Sequence, residues 1–139
     1  MAPAENNAEF LLARARRAAE RAHCPYSYFH VGAAVRCDDG SVIDGCNVEN
    51  ASYGLSICAE RVALFTAISQ GKQPIELAVS CIDAQSDAAP GSRMPYGACR
   101  QVMQELLPSK AKVSIDGVGT SQLEQLLPAP FELTQPNIN

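Results

Sequence analysis

The first amphipathic segment of the chain predicts a helix. Between Glu5 and His23, apolar residues recur every three or four positions among alanines and arginines, which favour helical backbone. The apolar positions are Phe10, Leu11, Ala15, Ala18, Ala19 and Ala22. Pro25 lacks the amide hydrogen that a continuing helix needs, so we expect the helix to end before it.

Two β-type runs follow, over residues 29–36 and 41–47. They are separated by Cys37-Asp38-Asp39-Gly40, whose Asp-Gly dipeptide is typical of a hairpin turn. The pattern therefore predicts an antiparallel pair of strands. An irregular loop with polar residues and glycine is expected over residues 47–57.

The second half of the chain alternates helices with strands. The pattern predicts, in order, a helix over residues 58–70, a strand over 76–82, a loop over 83–94, a helix over 98–107, a strand over 112–115 and a short helix over 121–127. The strand–helix–strand crossover should be parallel and right-handed. The predicted fold class is therefore α/β, a mixed sheet flanked by helices, in a single domain over residues 1–139.

Composition and charge narrow the function classes. The chain has 139 residues, of which 47% are hydrophobic, and a formal net charge of −4. Without a basic stripe, binding to a nucleic-acid polymer is not expected. No segment is long and apolar enough to predict a membrane span, and the first residues do not have the pattern of a secretory signal. We interpret the six cysteines as free thiols in a reducing compartment, which predicts a cytoplasmic location.

Two short motifs carry the candidate chemistry. Cys58-Ala-Glu60 opens one predicted helix, and Pro-Tyr-Gly-Ala-Cys99 opens another about forty residues later. A helix N-terminus stabilises a thiolate, which makes the two cysteines candidate metal ligands. Glu60 lies two residues after the first cysteine, where it would contact a metal-bound water rather than the metal. Arg61 and Arg100 follow the two cysteines and could offset thiolate charge.

This pairing is close to the signature of zinc deaminases that act on nucleobases. With four further segments, the chain resembles the small homotetrameric cytidine deaminases from Cys24 to Phe131. The matching segments are Cys24-Pro-Tyr-Ser-Tyr-Phe29, Val31-Gly-Ala-Ala34, Gly45-Cys-Asn-Val-Glu-Asn-Ala51, Cys58-Ala-Glu-Arg61, Gly97-Ala-Cys-Arg-Gln-Val102 and Leu126-Leu-Pro128.

The resemblance implies a fold, an activity and roles for individual residues. It implies a three-layer sandwich and hydrolytic deamination of cytidine, deoxycytidine or a related pyrimidine nucleoside to the uridine product, by a zinc-activated water and a proton-transferring carboxylate. For the chemistry, the resemblance implies that Glu60 transfers protons, that Cys58 and Cys99 bind zinc, and that the Ala59 backbone hydrogen-bonds the ring. For substrate binding, it implies that Asn47 and Glu49 bind the ribose and that Phe29 forms a wall of the base pocket. It also implies that Tyr53 and Phe131 complete the pocket of a neighbouring subunit.

Each of these residues also has an ordinary structural interpretation. The cysteines could be buried apolar thiols, and Glu60 a first-turn carboxylate that the helix dipole stabilises. Asn47 and Glu49 could serve turn geometry, and the phenylalanines could serve core packing.

Tyr96 is the departure from the family pattern, because it stands where a third zinc-ligand cysteine is expected. Its oxygen lies further from the backbone than a cysteine sulfur, and its ordinary pKa of about 10 makes the phenolate costlier than a thiolate. Three hypotheses follow: a rearranged zinc site that uses Tyr96 or another residue, a zinc-free nucleoside-binding pseudoenzyme or diverged enzyme, or an inactivating variant of an ordinary enzyme. The substitute ligands considered are Cys24, Cys37, Cys46 and Cys81, for which we expect packing roles, and His23 and His30, for which we expect surface or capping roles.

Overall fold

A computed structural model describes residues 7–134, which contain one five-stranded sheet with helices on both faces. The helices are α1 (Ala8–Ala19), α2 (Ala59–Ser69), α3 (Gly97–Leu106) and α4 (Leu123–Leu126), and the strands are β1 (Val31–Cys37), β2 (Val42–Cys46), β3 (Pro74–Cys81), β4 (Lys112–Ile115) and β5 (Gly119–Gln122). Short 3₁₀ turns lie at Tyr53–Leu55 and Pro90–Ser92. Among residues 7–134, no helix is long and apolar enough to cross a bilayer.

The strand order is β2-β1-β3-β4-β5. Strand β1 pairs antiparallel with both β2 and β3, while β3 and β4 are parallel, so the sheet is mixed. The predicted hairpin and the predicted parallel crossover through α3 are both confirmed. The register places Val31, at the start of β1, opposite Cys81, at the end of β3. The start of β1 and the end of β3 therefore lie side by side at the same end of the sheet.

The core is divided by the sheet into two layers of side chains. Alternate residues of a strand point to opposite faces. On one face, Ala34 and Ala78 pack with Leu11 and Ala15 of α1. On the other face, larger strand residues such as Leu77 pack with α2 and α3. The result is a three-layer α/β sandwich, which confirms the predicted fold class.

Two glycines allow helices to approach the sheet closely, one on each face. A Cβ at Gly32 would lie 1.9 Å from the Ala15 carbonyl oxygen of α1. A Cβ at Gly45 would lie 2.5 Å from the Ala63 nitrogen and 2.7 Å from the Ala59 oxygen of α2. The obstacles are backbone atoms, which cannot move without shifting the helix.

We expect Gly45→Ala to lower the free energy of unfolding by about 1–3 kcal/mol, because the added methyl forces α2 away from the sheet. Chemical denaturation measures this change. Gly91→Ala is the matched control, since no atom lies within 4 Å of a Cβ built there. Equal stability of the two variants would show that α2 does not depend on this close approach.

Two predicted boundaries were wrong and one strand was missed, for identifiable reasons. Helix α1 ends at Ala19 rather than near His23, because the next residues form turns and the His23 amide donates to the Asn47 carbonyl. Strand β1 begins at Val31 rather than at residue 29, since Tyr28 has a φ of 57° and interrupts the extended backbone. Strand β5 was missed because its residues, Gly-Thr-Ser-Gln, contain no apolar side chain; it lies at the edge of the sheet and pairs only with β4.

Candidate active site

A pocket of about 260 Å³ opens where the start of β1 and the end of β3 meet the N-termini of α2 and α3. Seven of the residues predicted for the site line it: Phe29, Asn47, Glu49, Cys58, Ala59, Glu60 and Tyr96. These residues come from four separate segments of the chain, so the fold gathers them into one place.

Cys58 lines this pocket, and the buried Cys99 is within hydrogen-bond reach of Cys58. Cys58 is the N-cap residue of α2, and Cys99 is the third residue of α3 and fully buried. A hydrogen bond from the Cys99 thiol lowers the pKa of Cys58 to about 6, and the Arg61 guanidinium, whose Nη2 lies 3.5 Å from Cys58 Sγ, acts in the same direction. The same contact with Cys58, together with burial, raises the pKa of Cys99. One thiolate is therefore favoured at the site, with Arg61 beside it.

Glu60 is a buried carboxyl group in the pocket wall, with 4% of its surface exposed. Burial raises its pKa to about 7, and its own backbone N–H, which donates to the carboxylate, opposes this effect. A buried carboxyl that faces a ligand pocket is suited to proton transfer.

Tyr53, Phe131 and Arg100 lie outside this pocket. Tyr53 is 79% exposed and borders an adjoining cavity that shares Glu49 with the main pocket. Phe131 is 69% exposed and lines a separate groove. The Arg100 guanidinium donates to the backbone carbonyls of Pro95 and Leu126, so its hydrogen bonds support the loop before α3. Of the two arginines, Arg61 makes the contact with a site thiol.

The donor set does not fit a complete catalytic zinc site, which takes three protein ligands and a water. Tyr96, at the N-cap of α3, lines the pocket but is 68% exposed, so most of its side chain faces solvent. Among residues 7–134, no group of three or more His, Cys, Asp or Glu side chains is placed to hold a metal ion. The site offers two cysteine ligands where three are needed.

The substitute ligands considered from the sequence lie in different places. Cys81 lines the pocket, and burial followed by the charge of Glu60 raises its pKa to about 11. Cys37 belongs to the hydrophobic core, and Cys24 is buried. His30 Nδ1 lies 2.6 Å from Asp83 Oδ2, in a pair that is exposed to solvent. All six cysteines are free thiols.

Sequence reasoning missed Ser27, and it expected only a packing role for Cys81. Ser27 donates a hydrogen bond to the Glu49 carboxylate, and serine in a turn is a common source of such bonds. Cys81 is the last residue of an apolar strand, and a strand end next to a helix N-terminus is a frequent place for a ligand site. Neither position could be assigned before the pairing of β1 with β3 was known.

Comparison with known proteins agrees with this geometry. Residues 5–115 match the family model described as the cytidine and deoxycytidylate deaminase zinc-binding region. The chain is 46% identical over 127 residues to a cytidine deaminase of Halalkalibacterium halodurans, covering 88% of this chain and 92% of the relative. It is 42% identical over 123 residues to a cytidine deaminase of Mycobacterium tuberculosis, covering 88% of each.

A solved structure gives the same result. The crystal structure of cytidine deaminase from Burkholderia pseudomallei superposes with a TM-score of 0.80 and 42% sequence identity, covering 90% of this chain and 99% of that one. The resemblance seen in the motifs is thereby confirmed over most of the chain. The chain belongs to the family of cytidine and deoxycytidylate deaminases, a family of hydrolytic enzymes.

Proposed function

We propose that this chain binds a pyrimidine nucleoside and hydrolytically deaminates its cytosine ring, giving the uridine product and ammonia. The observation that carries the proposal is the buried Glu60 carboxyl, which lies in a nucleoside-sized pocket between two helix N-termini. The pocket is slightly below the range of roughly 300–1,000 Å³ for drug-sized ligands, which suits a small polar substrate.

The residues of the pocket have separate roles in this proposal. Phe29 forms an apolar wall against the base, and the first free N–H groups of α2, beginning at Ala59, donate to polar atoms of the ring. Asn47 and Glu49 face the ribose. Glu60 takes one proton from the attacking water and delivers it to the ring nitrogen as oxygen bonds to C4. It then moves the remaining hydroxyl proton to the amino group, so that the C4–N bond breaks, ammonia leaves and C4 becomes a carbonyl.

Zinc is the cofactor that the family model implies, and it would supply activation of the water. Because Cys58 and Cys99 are two ligands of the three required, we propose that the chain holds zinc substoichiometrically and turns cytidine over slowly. The competing proposal is a pseudoenzyme or diverged enzyme without zinc that binds nucleosides. The exposure of the Tyr96 side chain, which stands where a third thiol is expected, favours it.

Calorimetry with cytidine, a uridine-formation assay and elemental analysis of the same purified sample test these proposals. Binding with slow turnover and less than one zinc per chain supports the deaminase proposal. Binding without turnover in zinc-supplemented buffer supports the competing proposal. If cytidine neither binds nor reacts, both are wrong.

A homotetramer is the assembly we propose. Tyr53 and Phe131 are strongly exposed, and the groove of Phe131 is separate from its own chain's pocket, so a role in substrate binding requires a neighbouring copy. We expect light scattering to show four chains per particle at micromolar concentration. A stable monomer would contradict this prediction.

The remaining proposals concern surroundings and partners. We propose a cytoplasmic location, in keeping with six free cysteines. The net charge of −4 supports a single nucleoside, rather than a nucleic-acid polymer, as the substrate.

A further inference from the structure

We infer that Asn47, Glu49 and Ser27 form a clamp that holds one wall of the pocket in place, and that this positioning role is separate from any contact with ribose. The wall is residues 26–31, which include Phe29. The inference deepens the proposed function, on which it rests for the identity of the ligand.

The wall needs support because its backbone is irregular. Residues 26–29 lie between α1 and β1, outside the sheet ladder. Tyr28 has a φ of 57°, in the left-handed region, which is unfavourable for a residue other than glycine. Such a conformation persists where surrounding contacts fix it.

Glu49 supplies one half of this support. Its Oε1 accepts hydrogen bonds from the backbone amides of Tyr26 and Ser27, each at 3.1 Å. Its Oε2 accepts a hydrogen bond from Ser27 Oγ at 2.5 Å. Ser27 Oγ in turn accepts the Phe29 amide at 3.0 Å, so a continuous path of hydrogen bonds runs from the carboxylate to the Phe29 backbone.

Asn47 supplies the other half. Its Nδ2 donates to the Phe29 carbonyl at 2.9 Å, and its Oδ1 accepts the Val31 amide at 2.9 Å. The side-chain amide thereby links Phe29 to Val31, the first residue of β1. Phe29 is held at its N–H through Ser27 and at its carbonyl by Asn47, which fixes the position of the aromatic ring against the pocket.

The clamp leaves some bonding capacity for a ligand. A carboxylate offers about four acceptor positions, and Glu49 uses three. A carboxamide offers two N–H donors, and Asn47 uses one for the Phe29 carbonyl. Both residues can therefore hold the wall and still meet a sugar hydroxyl, and an experiment must separate the two roles.

Two variants and two nucleosides separate them. Ser27→Ala removes the hydroxyl that links Glu49 to the Phe29 amide and leaves the Glu49 carboxylate in place. Glu49→Gln removes the charge from the side chain that accepts hydrogen bonds from the Tyr26 amide, the Ser27 amide and the Ser27 hydroxyl. Each is titrated calorimetrically with cytidine and with 2′,3′-dideoxycytidine, which lacks the 2′- and 3′-hydroxyls of the ribose. Ser109→Ala, at an exposed serine outside the pocket, is the control, and thermal melts confirm that each variant is folded.

If the clamp positions the wall, Ser27→Ala weakens the binding of both nucleosides by a similar factor, roughly three- to tenfold, and Glu49→Gln weakens dideoxycytidine binding as well. Ser109→Ala changes neither affinity. If Ser27→Ala binds both nucleosides as the native chain does and Glu49→Gln loses affinity for cytidine alone, the residues act only through ribose and the inference is wrong.

A second readout does not depend on any ligand. The chain contains no tryptophan, so Phe29→Trp introduces a single indole in the wall, whose fluorescence reports on that position. We expect adding Ser27→Ala to this variant to increase quenching of the indole by acrylamide, and adding Ser109→Ala to leave it unchanged. Unchanged quenching with Ser27→Ala overturns the clamp. Failure of the native chain to bind cytidine overturns the proposed function instead.

Discussion

Tyr96→Cys is expected to raise the zinc content to about one ion per chain and to increase cytidine turnover by at least about tenfold. The change places a cysteine at the N-cap of α3, three positions before Cys99, and so creates the Cys-x-x-Cys spacing that zinc sites use. Together with Cys58, it supplies three thiol ligands. Each added thiolate is a soft, charged donor that strengthens zinc binding. Elemental analysis and initial-rate measurements on the same preparations provide the test.

Tyr96→Phe is the matched control for this result. It keeps the ring and removes only the hydroxyl, so we expect zinc content and turnover to equal those of the native chain. If Tyr96→Phe loses zinc, the phenol oxygen is a ligand and Tyr96 is not a defect. If the native chain already carries a full zinc complement, our interpretation of the donor set is wrong. If Tyr96→Cys gains neither metal nor activity, the pocket has diverged beyond this position.

Glu60→Gln is expected to reduce turnover by roughly 10²–10⁴-fold, the range for losing a positioned acid–base group. The amide keeps the shape of the buried side chain but cannot accept and return a proton. The measurement is most sensitive when Glu60→Gln is added to Tyr96→Cys, where turnover is expected to be higher. We expect zinc content to remain unchanged, because the two cysteines are untouched.

Glu124→Gln is the control for this second change, because Glu124 is exposed on α4 and lies outside the pocket. It removes the same charge from the chain without touching the site, and we expect full activity. Turnover that survives Glu60→Gln would assign proton transfer to another group of the pocket. A loss of activity in both variants would point to net charge, not to the Glu60 carboxyl.

The motifs at the two helix starts were predictable because both are local. A cysteine at an N-cap and a glutamate two residues later are fixed relative to each other by the first turn of α2, whatever else the chain does. The tyrosine at position 96 is likewise visible in the sequence, and in the structure its side chain is mostly exposed. The mixed sheet was also predictable, because an Asp-Gly hairpin and a strand–helix–strand unit each favour a single pairing.

Other features depended on contacts between distant segments. Arg100 follows Cys99 directly in the sequence, yet its guanidinium donates to the carbonyls of Pro95 and Leu126. The Leu126 carbonyl comes within reach only because α4 packs beside α3. Strand β5 is polar and becomes a strand only because β4 offers it a free edge. Neither outcome has a periodic signal in the sequence.

The sequence by itself determined the family, the order of most elements and the residue types at the two helix starts, since these rest on residue identity and on spacing within one helix or one hairpin. Only the tertiary structure decided which polar atoms meet. Glu49 lies more than twenty positions from Ser27 in the chain, and their side chains bond because the segment after β2 runs beside the segment before β1. A hydrogen bond requires donor and acceptor within about 3 Å, and over that sequence separation only the folded backbone sets the distance.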